Sequence, residues 1–508
     1  MTGKSLWIDT TDPPTYPPLS SDRHTEVLVV GGGIAGLSTA FELTERGFDV
    51  ILIEQDRIGS GTTGHTTAKL TIQHGLVYDT LIQRFGAAFA ASYARANAEA
   101  IENIGSRIAE LGIDAGFERT PSYVYVPEDA AVTKLSREYR ALTRLDIPAS
   151  IETDIPAPID VERALRVPDQ AQFHPTRYLR ALAAEIVDRG NQIFEQTRAT
   201  KLDPGTPCSV STDRGRIDAD YVVAATLFPF SDRAGYFARM RAHRAYLLAV
   251  ELDEPVPEGM YLSTDSPPAT FRRYGGEDHE VMIVGGQSHP TERTHPPPEV
   301  RFDRCAAFAR DHFDVSRIVH RWAAHDLAPV DNVPYIGSLG RLSPNTYVAT
   351  GFNKWGMTNG TVAGSVIASL IATGSHPDAN VFDPHRIAPS TLPQILSDNI
   401  PTAERWIGDR LGLPRPDTDT LPDAGHGRVL RHHGRPMAVY RDGSGDLHVS
   451  SAICPHMYCI VGWNDAEKTW DCPCHGSRFE ATGGLRDGPA TGRLSNLTVD
   501  PSEEIRSP

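Results

Sequence analysis

Short apolar runs alternate with a helical pattern near the start of the chain. Residues 27–30 are an apolar run that predicts a strand, the apolar spacing over 37–43 predicts a helix, and residues 50–53 predict a second strand. The turn between the first strand and the helix contains Gly31, Gly33 and Gly36. This order indicates a β-α-β unit that binds a dinucleotide, with the pyrophosphate against the helix N-terminus.

The middle of the chain carries a longer helical pattern and then several strands. Between about residues 79 and 111, apolar side chains recur at helical spacing, which indicates buried core and not a site. Alternating apolar and polar residues predict strands over 243–251, 269–274 and 281–289. This part of the chain therefore combines a helical layer with a strand-rich region.

The C-terminal part of the chain changes character twice. Prolines recur between residues 384 and 423 around one short helical stretch at 402–411, which predicts a stiff linker over 386–425. Short strands, separated by glycine-rich turns, are predicted after it at 428–431, 436–440 and 447–450. With 508 residues the chain is too long for one core, so we expect several domains.

Composition narrows the possible partners and location. The formal net charge is −16, and the chain has no basic patch to neutralise phosphates, which argues against nucleic-acid binding. No apolar run approaches the ~20 residues of a membrane span, and residues 1–20 lack an apolar signal core. Apart from two C-terminal loops, cysteine occurs only at Cys208 and Cys305. We therefore expect a cytoplasmic protein without a membrane span.

Glu54 refines the dinucleotide prediction. It lies eighteen residues after Gly36, at the end of the second predicted strand, where its carboxylate can accept hydrogen bonds from a ribose. The same negative charge disfavours a 2′-phosphate, so NADP loses support. The glycine motif alone leaves both NAD and FAD open.

Four further segments resemble a family of flavoenzymes. They lie at residues 59–70 (GSGTTGHTTAKL), 220–226, 331–337 and 347–358. These segments are similar to those of the glycine/D-amino-acid/sarcosine oxidase (DAO) family. The resemblance implies FAD as cofactor. It also implies a Rossmann-like FAD-binding domain with an antiparallel-sheet substrate domain over residues 25–385, after an N-terminal extension at 1–24.

The same resemblance assigns the parts of this region. The FAD-binding segments would lie at about 25–80, 195–235 and 325–385, and the substrate domain at about 80–195 and 236–324. The implied FAD-binding residues are Gly31, Gly33, Gly36, Glu54, Gly61, Thr63, His65, Thr66, Thr226, Asp331, Gly351, Trp355, Gly356, Met357 and Thr358. In dimethylglycine-dehydrogenase-like relatives a histidine at the place of His65 is bonded covalently to the flavin. The differing neighbours here favour a non-covalent hydrogen bond.

The resemblance also supplies candidate catalytic residues. Arg272 and Tyr274 lie on a strand that it implies covers the reactive face of the flavin, and an arginine there suits a substrate carboxylate. Only one of Arg272 and Arg273 can face inward, because adjacent strand residues point to opposite faces. His325 and Lys354 are further candidates beside the flavin-binding segments. The expected reaction oxidises a CH–NH or CH–NH2 group, which needs no strong base if a hydride is transferred to the flavin.

Two cysteine–histidine pairs mark the C-terminal module. They read Cys454-Pro-His456 and Cys472-Pro-Cys474-His475. A structural zinc site also takes two cysteines and two histidines. Zinc fingers, however, usually pair cysteine with cysteine and histidine with histidine. Each loop here mixes the two residue types and carries one additional cysteine, Cys459 in the first and Cys474 in the second.

These loops resemble those of Rieske proteins, which bind a [2Fe–2S] cluster. The resemblance implies a small all-β Rieske domain over residues 426–508, a disulfide between Cys459 and Cys474, and the cluster ligands Cys454, His456, Cys472 and His475. Ser477 stands where family members use a hydroxyl to raise the cluster potential, whereas Phe479 stands where high-potential members have tyrosine. We expect a potential below that of the cytochrome complexes.

Together these features predict an α/β (α+β) multidomain dehydrogenase. A small amine or amino acid would give two electrons to FAD, and these would pass singly to the cluster and to an unknown external acceptor. A Rieske-type oxygenase is one alternative, although position 317 is arginine and not the aspartate that such enzymes place before a pair such as His320 and His325. A non-catalytic redox carrier or sensor is the other.

Overall fold

The computed structural model describes residues 4–12, 14–127, 131–231, 235–275, 280–291, 295–340, 343–386, 391, 421–432 and 435–497. Its helices are α1 (Leu6–Asp9), α2 (Ile34–Glu45), α3 (Tyr78–Phe85), α4 (Ala87–Glu110), α5 (Val132–Arg144), α6 (Pro175–Asp188), α7 (Tyr236–Arg239), α8 (Pro298–His312), α9 (Gly356–Thr373) and α10 (Ala379–Phe382). A 3-10 turn covers Thr62–His65.

The strands belong to four sheets. In the region before residue 386 they are β1 (Arg23–Val30), β2 (Val50–Ile53), β3 (Lys69–Leu70), β4 (Glu118–Val126), β5 (Ser150–Glu152), β6 (Arg163–Gln172), β7 (Gln192–Phe194), β8 (Ala199–Asp203), β9 (Cys208–Thr212), β10 (Arg216–Ala224), β11 (Met240–Leu252), β12 (Met260–Ser263), β13 (Thr270–Gly275), β14 (Glu280–Pro290), β15 (Val315–Pro329), β16 (Tyr335–Gly340) and β17 (Ser343–Thr350). In the C-terminal region they are β18 (Gly427–His432), β19 (Arg435–Arg441), β20 (Leu447–Ser451), β21 (Gly462–Asn464), β22 (Thr469–Asp471), β23 (Arg478–Glu480) and β24 (Leu485–Asp487).

The first sheet has eight strands, with the path β16-β17-β10-β1-β2-β7 and the β8–β9 pair attached at β10. Strand β1 lies between β10 and β2 and pairs with both in parallel. All four residues of β2 are buried, as expected for a parallel strand covered on both faces. The sheet is the Rossmann-like layer that the sequence predicts, and its β1–α2 turn faces the site described below.

The second sheet has nine strands and is mostly antiparallel, with the path β15-β11-β14-β13-β12-β4-β6-β3 and β5 attached at β6. The segments predicted at 243–251, 269–274 and 281–289 correspond to β11, β13 and β14, so these strand predictions are confirmed. The long pair β11–β15 runs from Met240 opposite Pro329 to Leu252 opposite Val315, and it places Arg244 opposite His325.

The C-terminal region contains two small sheets, β18-β19-β20 and β21-β22-β23-β24. One cysteine–histidine loop connects β20 to β21, and the other connects β22 to β23. The expected fold class, a Rossmann-like layer with an antiparallel-sheet layer and a small all-β domain, is confirmed. The helix predicted at 402–411 lies outside the described residues.

Helices α2 and α9 pack closely against each other beside the first sheet. A Cβ atom at Gly360 would lie 2.6 Å from Cγ2 of Ile34, and one at Gly364 would lie 2.8 Å from the carbonyl carbon of Ser38. Glycine at both positions therefore allows the close approach of the two helices. This packing fixes the N-terminus of α2, which forms one end of the site.

The N-terminal segment packs into the protein. Trp7 of α1 is fully buried, and its indole N–H donates to the backbone carbonyl of Thr66 at 2.7 Å. The segment thereby supports the loop at residues 59–70. In the part of the chain that the structure describes, no helix is both long and apolar enough to cross a membrane.

Candidate functional site

The turn between β1 and α2 requires glycine at two positions. Gly31 has φ +116°, and a Cβ atom there would lie 2.7 Å from the backbone oxygen of Ala225. A Cβ atom at Gly36 would lie 1.8 Å from the backbone oxygen of Gly31. Helix α2 therefore starts directly against β1, with its first N–H groups at the site, which is the arrangement that binds a pyrophosphate.

Glu54 follows β2 and lies beside this turn. Its carboxylate accepts the backbone N–H of Gly32 at 2.7 Å and that of Asp56 at 2.9 Å. Burial raises the pKa of Glu54 to about 7, although the two backbone hydrogen bonds oppose the shift. Each carboxylate oxygen can accept a second hydrogen bond, so Glu54 retains acceptor capacity for a ribose hydroxyl.

A cavity of about 500 Å³ extends from this turn to the second sheet. Its volume lies within the range of about 300–1,000 Å³ that is typical of ligand sites. Most of the predicted FAD contacts line it: Gly31, Gly33, Glu54, Gly61, Thr63, His65, Thr66, Thr226, Gly351, Trp355, Gly356 and Met357. The dinucleotide turn, the hydroxyl-rich loop and the start of α9 thus converge on one space.

Three predicted FAD contacts do not line the cavity. Gly36 packs against the β1–α2 turn. Asp331 forms an ion pair with Arg386 at 2.7 Å, and this pair holds the segment that precedes β16. The hydroxyl of Thr358 lies 3.3 Å from Nε2 of His74. These residues support the walls of the site and do not form its surface.

Arg272 and Tyr274 also lie outside the cavity lining. Arg272 is fully buried. Its guanidinium donates four hydrogen bonds within the protein. The acceptors are the backbone carbonyls of Thr67, Phe173 and Arg273 and the side-chain oxygen of Gln172. Burial lowers the pKa of Arg272 to about 9. Because these bonds already engage all three guanidinium nitrogens, the structure does not place Arg272 to hold a substrate carboxylate. Tyr274 packs edge-on against Trp7 at 5.1 Å.

His325 and Lys354, in contrast, line the cavity together with His243 and Asp326. Burial lowers the pKa of His325 to about 4 and that of His243 to about 3, so both imidazoles are neutral at pH 7. The carboxylate of Asp326 accepts the backbone N–H of Lys354. Burial raises the pKa of Asp326 to about 6 and lowers the pKa of Lys354. At pH 7 the carboxylate of Asp326 is therefore mostly ionised, whereas the two imidazoles beside it are neutral.

Lys69 is a cavity residue that the sequence predictions missed. It is buried on β3, and its ammonium donates to the backbone carbonyl of Tyr261 at 2.6 Å and to the hydroxyl of Thr270. No carboxylate pairs with it among the described residues. Burial, together with the nearby charge of Arg272, lowers its pKa well below the usual value. The sequence feature that could have revealed it is a single lysine at the end of a segment of small and hydroxyl-bearing residues, 59–70.

The cysteine–histidine loops meet at one point of the C-terminal domain. Cys454 and Cys472 are buried, and their thiols are within hydrogen-bonding distance of each other. The imidazole rings of His456 and His475 are 4.9 Å apart and nearly perpendicular. Nδ1 of His475 is buried without a hydrogen-bond partner among the described residues. Two thiols beside two imidazoles, one with an unsatisfied nitrogen, suit the ligand set of a Rieske cluster.

The predicted disulfide between Cys459 and Cys474 is confirmed. The sulfurs of Cys459, Cys472 and Cys474 lie within 4.8 Å of one another. Because the disulfide occupies two of them, this sulfur trio cannot act as a metal site. The disulfide instead ties the two ligand loops together.

The two residues predicted to tune the cluster are both buried. The hydroxyl of Ser477 hydrogen bonds to the sulfur of Cys454 and accepts the backbone N–H of Ala490 at 3.0 Å. Phe479 lies on β23 opposite Trp470 and is fully buried. Ser477 thus has a hydroxyl beside the ligand Cys454, and Phe479 offers no hydrogen-bond donor; that the two residues tune the cluster stays a prediction.

The two cysteine–histidine loops lie against the region that precedes residue 386. The ring of Phe237 packs edge-on against His456 at 5.7 Å and against His475 at 5.5 Å. A Cβ atom at Gly476, next to His475, would lie 2.9 Å from Nε2 of His325. His325 therefore borders both the cavity and the second ligand loop.

Comparison with known proteins assigns both halves of the chain. Residues 26–370, more than half of the sequence, match the family described as DAO, FAD dependent oxidoreductase. The chain belongs to the DAO family. Residues 416–498 match the Rieske [2Fe-2S] domain. Its DAO domain binds FAD, and its C-terminal domain binds a [2Fe–2S] cluster.

One relative shares both halves. YhfW of Bacillus subtilis (strain 168), whose name describes it as a Rieske 2Fe-2S iron-sulfur protein, is 37% identical over 500 residues, covering 98% of each chain. Gamma-glutamylputrescine oxidoreductase of Escherichia coli (strain K12) is 25% identical and covers 72% of this chain and 87% of its own.

Solved structures resemble the FAD half. Glycine oxidase from Geobacillus kaustophilus superimposes with a TM-score of 0.62 at 18% identity, covering 72% of this chain and 99% of its own. L-amino acid deaminase from Proteus vulgaris gives a TM-score of 0.60 at 15% identity and covers 74% of this chain and 100% of its own. At these identities the likeness establishes the fold.

Proposed function

We propose that this FAD-dependent oxidoreductase is a dehydrogenase that oxidises a small amine or amino acid at a CH–NH or CH–NH2 group. Its electrons would pass to the Rieske cluster and then to an external acceptor. When bound, FAD accepts two electrons from an organic substrate, whereas a Rieske cluster carries one electron at a time. The names of the E. coli and Geobacillus relatives support nitrogen-containing substrates.

The observation that carries the proposal is the position of His325. It lies in the wall of the cavity, and it contacts Gly476 beside the cluster ligand His475. Among the described residues, the FAD cavity and the second ligand loop are therefore adjacent. This contact supports electron transfer within one molecule.

The chain's own residues have three roles in this proposal. The β1–α2 turn and Glu54 hold the dinucleotide part of the cofactor. His325 and His243, neutral because they are buried, provide a wall that does not electrostatically repel a protonated amine. Lys69 is the cavity amine that can donate a hydrogen bond to substrate or cofactor, because its protein partners are a neutral carbonyl and a hydroxyl.

An anaerobic substrate panel tests the proposal. Purified holoenzyme would be mixed with primary amines, secondary amines and amino acids, and with the corresponding alcohols and hydroxy acids as controls. We expect bleaching of the flavin absorbance by nitrogen compounds only. Bleaching by hydroxy acids alone would contradict the assignment, and no bleaching by any compound would favour the redox carrier or sensor.

The oxygenase alternative loses support from β15. His320 and His325 are five residues apart on this strand, so their side chains point to opposite faces. Nε2 of His320 lies 3.1 Å from a carboxylate oxygen of Asp9, whereas His325 faces the cavity. The two imidazoles therefore cannot share a mononuclear iron, and that alternative has no iron site built on this pair.

We further propose a cytoplasmic location and no nucleic-acid partner, and the external electron acceptor stays unassigned. Cys208 and Cys305 are buried free thiols, which suits a reducing compartment in which only the buried Cys459–Cys474 bond is oxidised. The proposed domain limits stay as the sequence predicts, with the linker at 386–425 between the two redox domains.

A further inference from the structure

The C-terminal domain forms part of the wall of the FAD cavity. The cavity is lined not only by the FAD-binding half but also by Leu485, Asp487, Gly488, Pro489, Ala490 and Thr491. The first two belong to β24, and the others form the loop that follows it. Thus the site that holds FAD is built by two domains.

Two side chains of the FAD-binding half donate hydrogen bonds to the backbone of β24 at the dinucleotide end of the cavity. The side-chain amide of Gln55 donates to the backbone carbonyl of Arg486 at 2.9 Å. The guanidinium of Arg198 donates to the backbone carbonyl of Leu485 at 2.6 Å. Gln55 and Arg198 both line the cavity, and Gln55 directly follows Glu54, so β24 crosses the region where the ribose is expected.

A buried ion-pair network holds this arrangement in place. Arg244 of β11 is 6% exposed, and its guanidinium lies 2.5 Å from Asp471 and 3.1 Å from Glu467, both in the C-terminal domain. Arg478 continues the network to Glu467 at 2.8 Å and to Asp487 at 3.3 Å. The network therefore runs from the second sheet, through the C-terminal domain, to the cavity wall itself.

Without Arg244, the buried carboxylates of Asp471 and Glu467 would keep only Arg478 as an ion-pair partner among the described residues, and a buried carboxylate that loses a partner is costly. Because Arg244 is the member contributed by the FAD-binding half, its loss weakens the contact between the domains and not the fold of either one. Undocking would open the wall formed by residues 485–491.

We propose that the C-terminal domain closes the FAD site and retains the bound cofactor, with Arg244 as the positioning residue that keeps it closed. The domain thus has a second function besides carrying the cluster. This inference concerns cofactor retention and does not depend on which substrate is oxidised.

Release of FAD from the holoenzyme tests this function directly. The rise of free-FAD fluorescence after dilution would be followed for the wild type, for Arg244→Met and for Glu467→Gln, with the cluster EPR signal recorded to verify the C-terminal domain. Glu467 is not a cavity residue, so its substitution cannot alter a direct contact with FAD. The control is Arg317→Met, which removes the exposed ion pair between Arg317 of β15 and Glu251 of β11, away from the C-terminal domain.

We expect both interface variants to release FAD at least roughly tenfold faster than the wild type, because each removes an ion pair of Arg244 across the domain interface, and the control to match the wild type. If Glu467→Gln releases FAD at the wild-type rate, the proposal is overturned. This holds even if Arg244→Met releases FAD faster, because the effect of that variant would then come from a direct contact of Arg244 with the cofactor. Equal acceleration in the control would overturn it as well.

Discussion

At the scale of single residues, the contact of Ser477 with a predicted cluster ligand leads to a prediction about the cluster potential. Its hydroxyl hydrogen bonds to the sulfur of Cys454, and such a bond stabilises the reduced, more negative cluster more than the oxidised one. We expect Ser477→Ala to lower the midpoint potential by roughly 50–100 mV, the scale of one hydrogen bond to a charged group. Protein-film voltammetry measures this, and an unchanged potential would contradict the assigned role.

Lys69 gives a second residue-scale prediction. We expect Lys69→Met to lower kcat/KM for the substrate found by the panel by at least roughly tenfold. The substitution removes the hydrogen-bond donor Nζ of Lys69 from the cavity wall. Lys201→Met, at an exposed lysine paired with Asp203, is the matched control. Equal kinetics for Lys69→Met and the control would show that Lys69 only supports the wall.

The sequence could place the cluster ligands but not every side chain of the substrate region. Spacing and residue type identify Cys454 and His456 because the chemistry needs those groups. Alternation shows that Arg272 and Arg273 point to opposite faces, but it does not show what lies behind each face. Arg272 faces the backbone carbonyls of Thr67 and Phe173, which belong to distant parts of the chain, so only the fold reveals that it is engaged.

At the scale of elements, the contact between α2 and α9 depends on Gly364. We expect Gly364→Ala to destabilise the protein by about 1–3 kcal/mol, because the added Cβ would lie 2.8 Å from the backbone of Ser38. Gly340→Ala is the control, since a Cβ there meets nothing within 4 Å. Thermal unfolding of both variants checks this. An equal decrease in the unfolding temperatures of Gly364→Ala and Gly340→Ala would contradict this role of Gly364.

His174 makes the start of α6 sensitive to pH. Its imidazole accepts the backbone N–H of Arg177 at 3.4 Å and lies 3.0 Å from the hydroxyl of Thr10. Burial lowers its pKa to about 3. Because the unfolded value is about 6.5, its contribution is complete above that pH and declines as the pH falls towards 3.

We therefore expect the free energy of unfolding to fall by about 1–2 kcal/mol because of His174 when the pH is lowered from 7 to 5. Asparagine can also accept at an N-cap but does not titrate, so His174→Asn should lose less thermal stability over that interval than the wild type. Parallel melting curves for the two proteins at both pH values would contradict the assignment.

The elements themselves follow the sequence well, with one instructive exception. Residues 79–111 have one continuous helical pattern, yet the structure divides them into α3 and α4 at Gly86, which has φ +90°. Both helices bury apolar side chains against the same core, so hydrophobic spacing continues across the break. A glycine within such a pattern is tolerated in a helix, and only tertiary packing decides that the chain turns there.

At the scale of the whole molecule, the sequence predicts both redox domains but not how they dock. Arg244 and Asp471 are 227 positions apart, and neither carries a local signal that it will meet the other. A charged residue on a strand is usually exposed, and here the partner domain buries it. The wall that the C-terminal domain adds to the cavity could therefore be found only in the folded protein.

The most direct test of the central claim is anaerobic single-turnover mixing of the holoenzyme with an amine that bleaches its flavin. Flavin absorbance and the Rieske EPR signal would be followed together at several protein concentrations. Because His325 borders both the cavity and the loop of His475, we predict that the cluster becomes reduced after the flavin at a rate independent of protein concentration. A cluster that stays oxidised while the flavin is reduced, or one reduced only in proportion to protein concentration, would contradict electron transfer within the molecule.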